Sequence, residues 1–178
     1  MKIVGRQLNS RMCAVCGLDN PFGLKAPFYN MEDRSVMTVF RFQEFHQSYP
    51  GRVHGGLIAA MLDEMGLRGL WAWQGGCEAE FGVTMKLECS YRKPVPYGVE
   101  LVGRGIVTSE NHRAFVVNAE IMDMRGVVLA NGSVQYLRVP VAKIAAGADA
   151  ALVHEEMPYL IEDGRTEIIR AEDGWRVL

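Results

Sequence analysis

One run of residues holds chemistry: Pro50-Gly51-Arg52-Val53-His54-Gly55-Gly56-Leu57-Ile58-Ala59-Ala60-Met61-Leu62-Asp63-Glu64. Two glycines open a helical segment. Backbone N–H groups in a first helical turn have no intrahelical acceptor, and the helix dipole adds partial positive charge there. With no Cβ at Gly55 or Gly56, a ligand can approach that backbone closely. Such a place can polarise a carbonyl oxygen. Nine residues after His54, Asp63 stands in an otherwise apolar helix. A carboxylate there is costly unless it is paired or used. The same letters have a plainer reading, in which Gly55-Gly56 relieves a tight packing contact and Asp63-Glu64 is the wet edge of the helix.

The helix that must position these groups is expected over residues 54–73, about 30 Å at 1.5 Å per residue. Leu57, Ile58, Met61, Leu62, Met65, Leu70 and Trp71 leave it little polar surface, so it should be buried. Gln74-Gly75-Gly76 stops it. Residues 80–92 alternate: Phe81, Val83, Met85, Leu87, Cys89 and Tyr91 against Thr84, Lys86, Glu88, Ser90 and Arg92. Period two over this length predicts a strand. Residues 35–42 read as an earlier strand, rich in β-branched and aromatic side chains. Strand-like runs follow at 99–109, 114–123 and 127–139, joined at Asn111-His112 and Arg125-Gly126 as hairpins would be. An antiparallel sheet wrapped round one buried helix satisfies both patterns, which predicts an α+β fold. Residues 1–33 read as irregular. Residues 142–156 have helix-forming composition, and the last twenty read as a loosely attached tail. The expected organisation is a leader over 1–34, a main domain over 35–139 and an extension over 140–178 without an assigned role.

Composition narrows the function classes. The chain has 178 residues, 49% hydrophobic and 22% charged, the mix of a globular protein and not of a disordered one. Nineteen Lys and Arg against 21 Asp and Glu leave a net charge of −2, with no basic excess for nucleic acid. Charges at Asp63, Glu64 and Arg68 interrupt the most apolar stretch, so no membrane segment is expected. Met1-Lys2-Ile3-Val4-Gly5-Arg6 has no long apolar core, and a signal peptide is not expected. The four cysteines are read as thiols in a reducing cytoplasm.

Order and spacing together carry a resemblance. His54-Gly55-Gly56, Asp63 nine residues after the His, the alternating strand with Thr84, and its exit Tyr91-Arg92-Lys93-Pro94-Val95-Pro96 resemble the hotdog-fold acyl-CoA thioesterases of the PaaI-like branch. Cys13-Ala14-Val15-Cys16-Gly17-Leu18-Asp19-Asn20-Pro21-Phe22-Gly23-Leu24 looks like the leader of many bacterial members. The resemblance covers roughly residues 12–139. It implies the hotdog fold and hydrolysis of an acyl-CoA thioester. The Gly55 N–H would polarise the carbonyl, Asp63 of a partner subunit would act as base or nucleophile, Thr84 would hold the water or carboxylate, and His54 matches the motif His. It also implies a homodimer or dimer of dimers, with coenzyme A present only as part of the substrate and no metal or other cofactor. Many members carry an Asn six residues before the His. Here that position is Ser48, a candidate substrate contact beside Gly56. The segment Trp71-Ala72-Trp73-Gln74-Gly75-Gly76-Cys77 looks like an insertion that can reshape the acyl pocket.

Two other function classes stay open. One is a hotdog dehydratase or hydratase that uses His54 on acyl thioesters. The other is a non-catalytic acyl-CoA-binding regulator. Arg92, Lys93, Arg113 and Arg138 near strand ends are candidates for the coenzyme A phosphates, or plain surface charges. Cys13-x-x-Cys16 with no second pair is read as a turn of the leader, not a metal site. His46 and His112 are read as solvated loop residues, and His154 carries no reading.

Overall fold

The computed structural model describes residues 1–75, 81–144, 151 and 155–178. In chain order its elements are β1 (Ile3–Arg6), β2 (Tyr29–Met31), β3 (Val36–Phe40), β4 (Gln47–Tyr49), β5 (Arg52–Val53), α1 (Gly55–Trp73), β6 (Gly82–Tyr91), β7 (Leu101–Glu110), β8 (Ala114–Asp123), β9 (Val128–Arg138), α2 (Val141–Ile144), β10 (Ile168–Ala171) and β11 (Gly174–Val177). One antiparallel sheet runs in the order β1-β2-β3-β7-β8-β9-β6. The long helix α1 packs chiefly on β7, β8 and β9. This is the α+β hotdog arrangement that the periodicity and the resemblance predict.

The helix forms because its apolar residues recur on a face wide enough to meet a curved sheet. Ile58, Met61, Leu62, Met65, Leu70 and Trp71 are buried, each worth about 1.5–3 kcal/mol relative to exposure. The helix starts one residue later than expected, because His54 is its N-cap with extended backbone. Both expected hairpins form. Asn111 Oδ1 accepts from the Arg113 and Ala114 N–H groups, and Gly126 turns at φ 80°.

Four expectations are corrected. The first 33 residues are not all irregular, since β1 and β2 extend the sheet beyond β3. The alternating strand β6 has no buried residue, because it lies at the sheet edge, and a register shift between Thr84 and Lys86 breaks its period. The C-terminal residues are not a loose tail. Hairpin β10–β11 docks through Ile168 N–H to Met1 O (3.0 Å) and Trp175 N–H to Met124 O (2.6 Å), and the preceding segment through Ile3 N–H to Thr166 O (2.9 Å). Ile168 is fully buried against Tyr29, Met31 and Val102. His46 is not solvated but buried. Its Nδ1 accepts from Gln43 N–H at 2.9 Å, and its Nε2 lies 2.8 Å from Phe22 O. Of the expected helix over 142–156, residues 145–150 and 152–154 lie outside the described residues, as do Gly76, Cys77 and His154.

Candidate active site

The first turn of α1 builds one half of the site. His54 is held extended by its N–H to His46 O (2.9 Å), after Val53 N–H has bonded Val95 O (3.0 Å). From there its Nδ1 accepts the Gly56 N–H at 3.0 Å. An accepting Nδ1 carries no proton, so the ring caps the helix in that state. Of the two glycine amides, Gly56's is therefore taken. No acceptor takes the Gly55 N–H among the described residues. Tyr91 crosses above it, its hydroxyl donating to Gly55 O at 3.0 Å. A groove of about 370 Å³ opens here, with Arg52, Gly55, Ile58, Tyr91, Arg92 and Lys93 in its wall. Gly55, its amide without an acceptor among the described residues, thus lines a groove edged by three cations.

Asp63 builds the other half. Thr84 Oγ1 donates to Asp63 Oδ1 at 2.8 Å, and the Tyr136 hydroxyl donates to the same oxygen at 2.9 Å. The Tyr136 hydroxyl also meets Asp63 O. Tyr136 is buried and stacked on Phe115, with ring centroids 4.8 Å apart and planes within 5°. Its reach over the helix depends on Gly66, where a Cβ would lie 2.2 Å from the tyrosine ring. Burial first, and then the charge of Asp63, push the Tyr136 hydroxyl well above the usual phenol range, so it remains a donor. The next carboxylate, Glu64, turns away to Arg68, with Nε 2.9 Å from Oε1. That guanidinium is fully buried, between the rings of Phe28 and Trp71 at 4.7 and 4.9 Å and donating to Leu8 O at 2.7 Å.

The two halves do not meet within one chain. Gly55 and Asp63 are eight residues apart on one helix, about 12 Å along its axis. One carbonyl cannot contact both.

The structure therefore sorts the sequence candidates. Gly55, Arg92 and Lys93 share the groove, with His54 and Gly56 forming the cap beside it. Asp63 and Thr84 share the second cluster. Ser48 lies on the exposed ribbon β4 and lines neither. Arg138 pairs with Glu110 and sits opposite Gly82, at the other end of β6 from Arg92. Its backbone N–H bonds Arg113 O, which puts Arg113 at that end as well. Trp71 is buried and is not among the residues that line the groove at Gly55. Sequence reasoning missed Tyr136, Tyr91 and Arg52. Gly66, three residues after Asp63, was the signal for a close approach, but nothing local says which ring fills that space.

Comparison with known proteins agrees with this architecture. Residues 50–130 match the Thioesterase superfamily. Acyl-coenzyme A thioesterase THEM4 of Mus musculus is 32% identical over 94 residues, 51% of this chain and 37% of that protein. The chain thus spans little more than a third of that relative's length. The crystal structure of a thioesterase superfamily protein superposes with a TM-score of 0.62 at 26% identity, over 71% of this chain and 60% of that one. A hypothetical thioesterase from Streptococcus pneumoniae, solved with coenzyme A, superposes with a TM-score of 0.57 at 17% identity over 64% of this chain and 85% of that one, which speaks to the fold. The segment 50–130, in the helix-and-sheet frame that carries Gly55 and Asp63, thus matches the thioesterase superfamily in sequence, and the frame has the fold of solved members of that superfamily.

Proposed function

We propose that this protein hydrolyses an acyl-CoA thioester at a site that two copies of the chain complete. The observation that carries the reading is the separation of a free helix N-terminal amide at Gly55 from a carboxylate aimed by two hydroxyls at Asp63. The thioester carbonyl oxygen accepts the Gly55 N–H, which stabilises the negative charge that develops on it. Asp63 of the second copy either attacks the carbonyl carbon or takes a proton from the attacking water. The C–S bond breaks, the thiol of coenzyme A leaves with a proton, and the acid is released. Water is the only co-reactant, and coenzyme A enters as part of the substrate. Arg52, Arg92 and Lys93 give the groove the charge to meet its phosphates.

Edge strand β6 supplies the route to a dimer. Unpaired strand edges invite pairing, and β6 exposes Met85 and Tyr91. Antiparallel pairing of two β6 strands about a two-fold axis near Leu87 sets the Tyr91 end of one copy beside the Thr84 end of the other. That brings each Gly55 toward the other copy's Asp63. The reducing cytoplasm suggested by the free thiols is the proposed setting.

The test is thiol release from a panel of short, long and aromatic acyl-CoAs, with Asp63→Asn beside the native chain. Turnover should fall about 100-fold or more in that variant, with the fold intact by circular dichroism. Near-normal thiol release would move the carboxylate role elsewhere. Hydration of crotonyl-CoA in place of thiol release would make the chain a hydratase. Tight acyl-CoA binding without turnover would make it a binding module.

A further inference from the structure

The turn Cys13-Ala14-Val15-Cys16-Gly17 meets helix α1 at Glu64, away from the groove. The Cys13 and Cys16 sulfurs and a Glu64 carboxylate oxygen all lie within 4.8 Å of one another. We propose that these three groups form a zinc site that pins the N-terminal segment to α1, one residue from Asp63.

The distances suit such an ion. Zinc–sulfur bonds of about 2.3 Å and zinc–oxygen bonds of about 2.0–2.2 Å in a tetrahedron place donor atoms about 3.5–3.8 Å apart. Cys13 Sγ lies 3.8 Å from Glu64 Oε2. The carboxylate is already divided between two tasks: Oε1 takes the Arg68 guanidinium at 2.9 Å, and Oε2 faces the thiol. Sequence spacing offered only two donors. The third comes from a helix 48 residues beyond Cys16 and appears only when the chain folds.

The turn also aims backbone donors at one of its sulfurs. The Val15 and Cys16 N–H groups point at Cys13 Sγ, at 3.3 and 3.5 Å. Ser10 Oγ accepts the Cys13 N–H at 3.1 Å and lies in hydrogen-bond contact with Cys16 Sγ at 3.3 Å. Donors of this kind orient and steady thiolate ligands. Gly17 closes the turn with its N–H on Cys13 O at 2.9 Å. A Cβ there would lie 2.4 Å from that oxygen, so a side chain would break the loop.

Charge balance selects a divalent ion. Glu64 and Arg68 already cancel. Two thiolates added to that pair leave two negative charges in a largely buried place, which is costly unless compensated. A dication restores neutrality, and thiolate donors favour zinc over magnesium or calcium. Cys13 is only half-buried, so water can take the fourth position.

The experiment uses the full chain, reduced, stripped with a chelator and titrated with zinc against a chromogenic competitor. One zinc per chain is expected. Cys13→Ser and Cys16→Ser should each lose stoichiometric binding. Glu64→Gln should weaken it about 10- to 100-fold, and Cys89→Ser should leave it unchanged. Cobalt(II) in the unsubstituted chain gives a reading that does not depend on variants folding. It should show sulfur-to-metal charge-transfer bands of two thiolates and the visible spectrum of a tetrahedral ion. Absence of zinc binding, binding that survives in the Cys13→Ser/Cys16→Ser double variant, or an intact mass short of two hydrogens, which marks a disulfide, would overturn the proposal. None of these readings depends on thioester hydrolysis.

Discussion

Thr84 and Tyr136 stand directly opposite one another on β6 and β9, and both hydroxyls donate to Asp63 Oδ1, at 2.8 and 2.9 Å. The register of the edge strand is thus also the register of the carboxylate. A slip of one residue would turn Thr84 to the other face. The register shift between Thr84 and Lys86 lies at this point, and such bulges re-aim side chains beside functional sites.

The two donors should be separable by substitution. Tyr136→Phe keeps the stacked ring and removes the hydroxyl, at a stability cost of about 0.5–1.5 kcal/mol. Turnover should fall more than stability does, because Asp63 loses its buried partner. Thr84→Val, on the exposed strand, should lower the melting temperature less. Thiol release and thermal melts on both variants check this, and unchanged turnover in Tyr136→Phe would separate that hydroxyl from the chemistry.

Gly66 is a packing prediction. A Cβ placed 2.2 Å from the Tyr136 ring forces the ring or the helix to move, and overpacking of this kind costs about 1–3 kcal/mol. Gly66→Ala should therefore lose both stability and turnover. Tyr136→Ala combined with Gly66→Ala should cost less than the sum of the two single changes. Additive losses in denaturant melts would mean that the ring has room after all.

The shared-site model predicts complementation. At Gly55 the nearest atoms to a Cβ belong to Tyr91, at an ordinary contact distance of 3.5 Å, so Gly55→Val should fold while blocking the amide. Asp63→Asn and Gly55→Val should each be inactive as pure proteins. Mixed one to one with subunit exchange, half of the dimers carry both variants and each holds one intact site, so about a quarter of full activity should return. No recovery, or an active species of monomer mass by light scattering, would end the two-copy model.

Acid should release the C-terminal hairpin. Burial alone would raise the Asp163 carboxyl, but hydrogen bonds from the Tyr29 hydroxyl, the Arg165 N–H and the Arg6 guanidinium, with the charge of Arg165, hold it below its usual value. Arg165 itself donates to Tyr29 at 2.8 Å and also faces Glu100 at 3.9 Å. A carboxyl lowered on folding adds stability above its unfolded pKa of about 3.9 and loses it as pH falls through the folded value. Solvent screening keeps the term near 1 kcal/mol or less, about the scale of exposed pairs. Protection factors for hydrogen exchange across residues 155–178, taken relative to the intrinsic rate at each pH, should be high at neutral pH and fall below about pH 4. Asp163→Asn should show lower protection at neutral pH and lose that acid step. An acid step that persists in the variant would assign it to another group.

Period and turn chemistry make the long helix, the strand that follows it and the two hairpins legible from the letters, because neighbours in sequence set those patterns. The places of Gly55 at the helix start and Asp63 within the helix were legible from the letters, while the pairing of Thr84 with Asp63 was expected only through the family resemblance. What only the tertiary structure decided depends on pairing across the chain. Tyr136 reaches Asp63 because β9 lies beside β6 and Gly66 leaves a gap. His46 and Arg68 are buried because distant carbonyls and a carboxylate satisfy them. Residues 3–6 and 29–31 become strands because the sheet offers an edge, and the C-terminal hairpin is fastened by the first residues of the chain. Glu64 joins Cys13 and Cys16 by the same route. Periodicity records which face of an element is apolar, but not which partner fills that face, since that is settled by register and close packing between segments far apart in sequence.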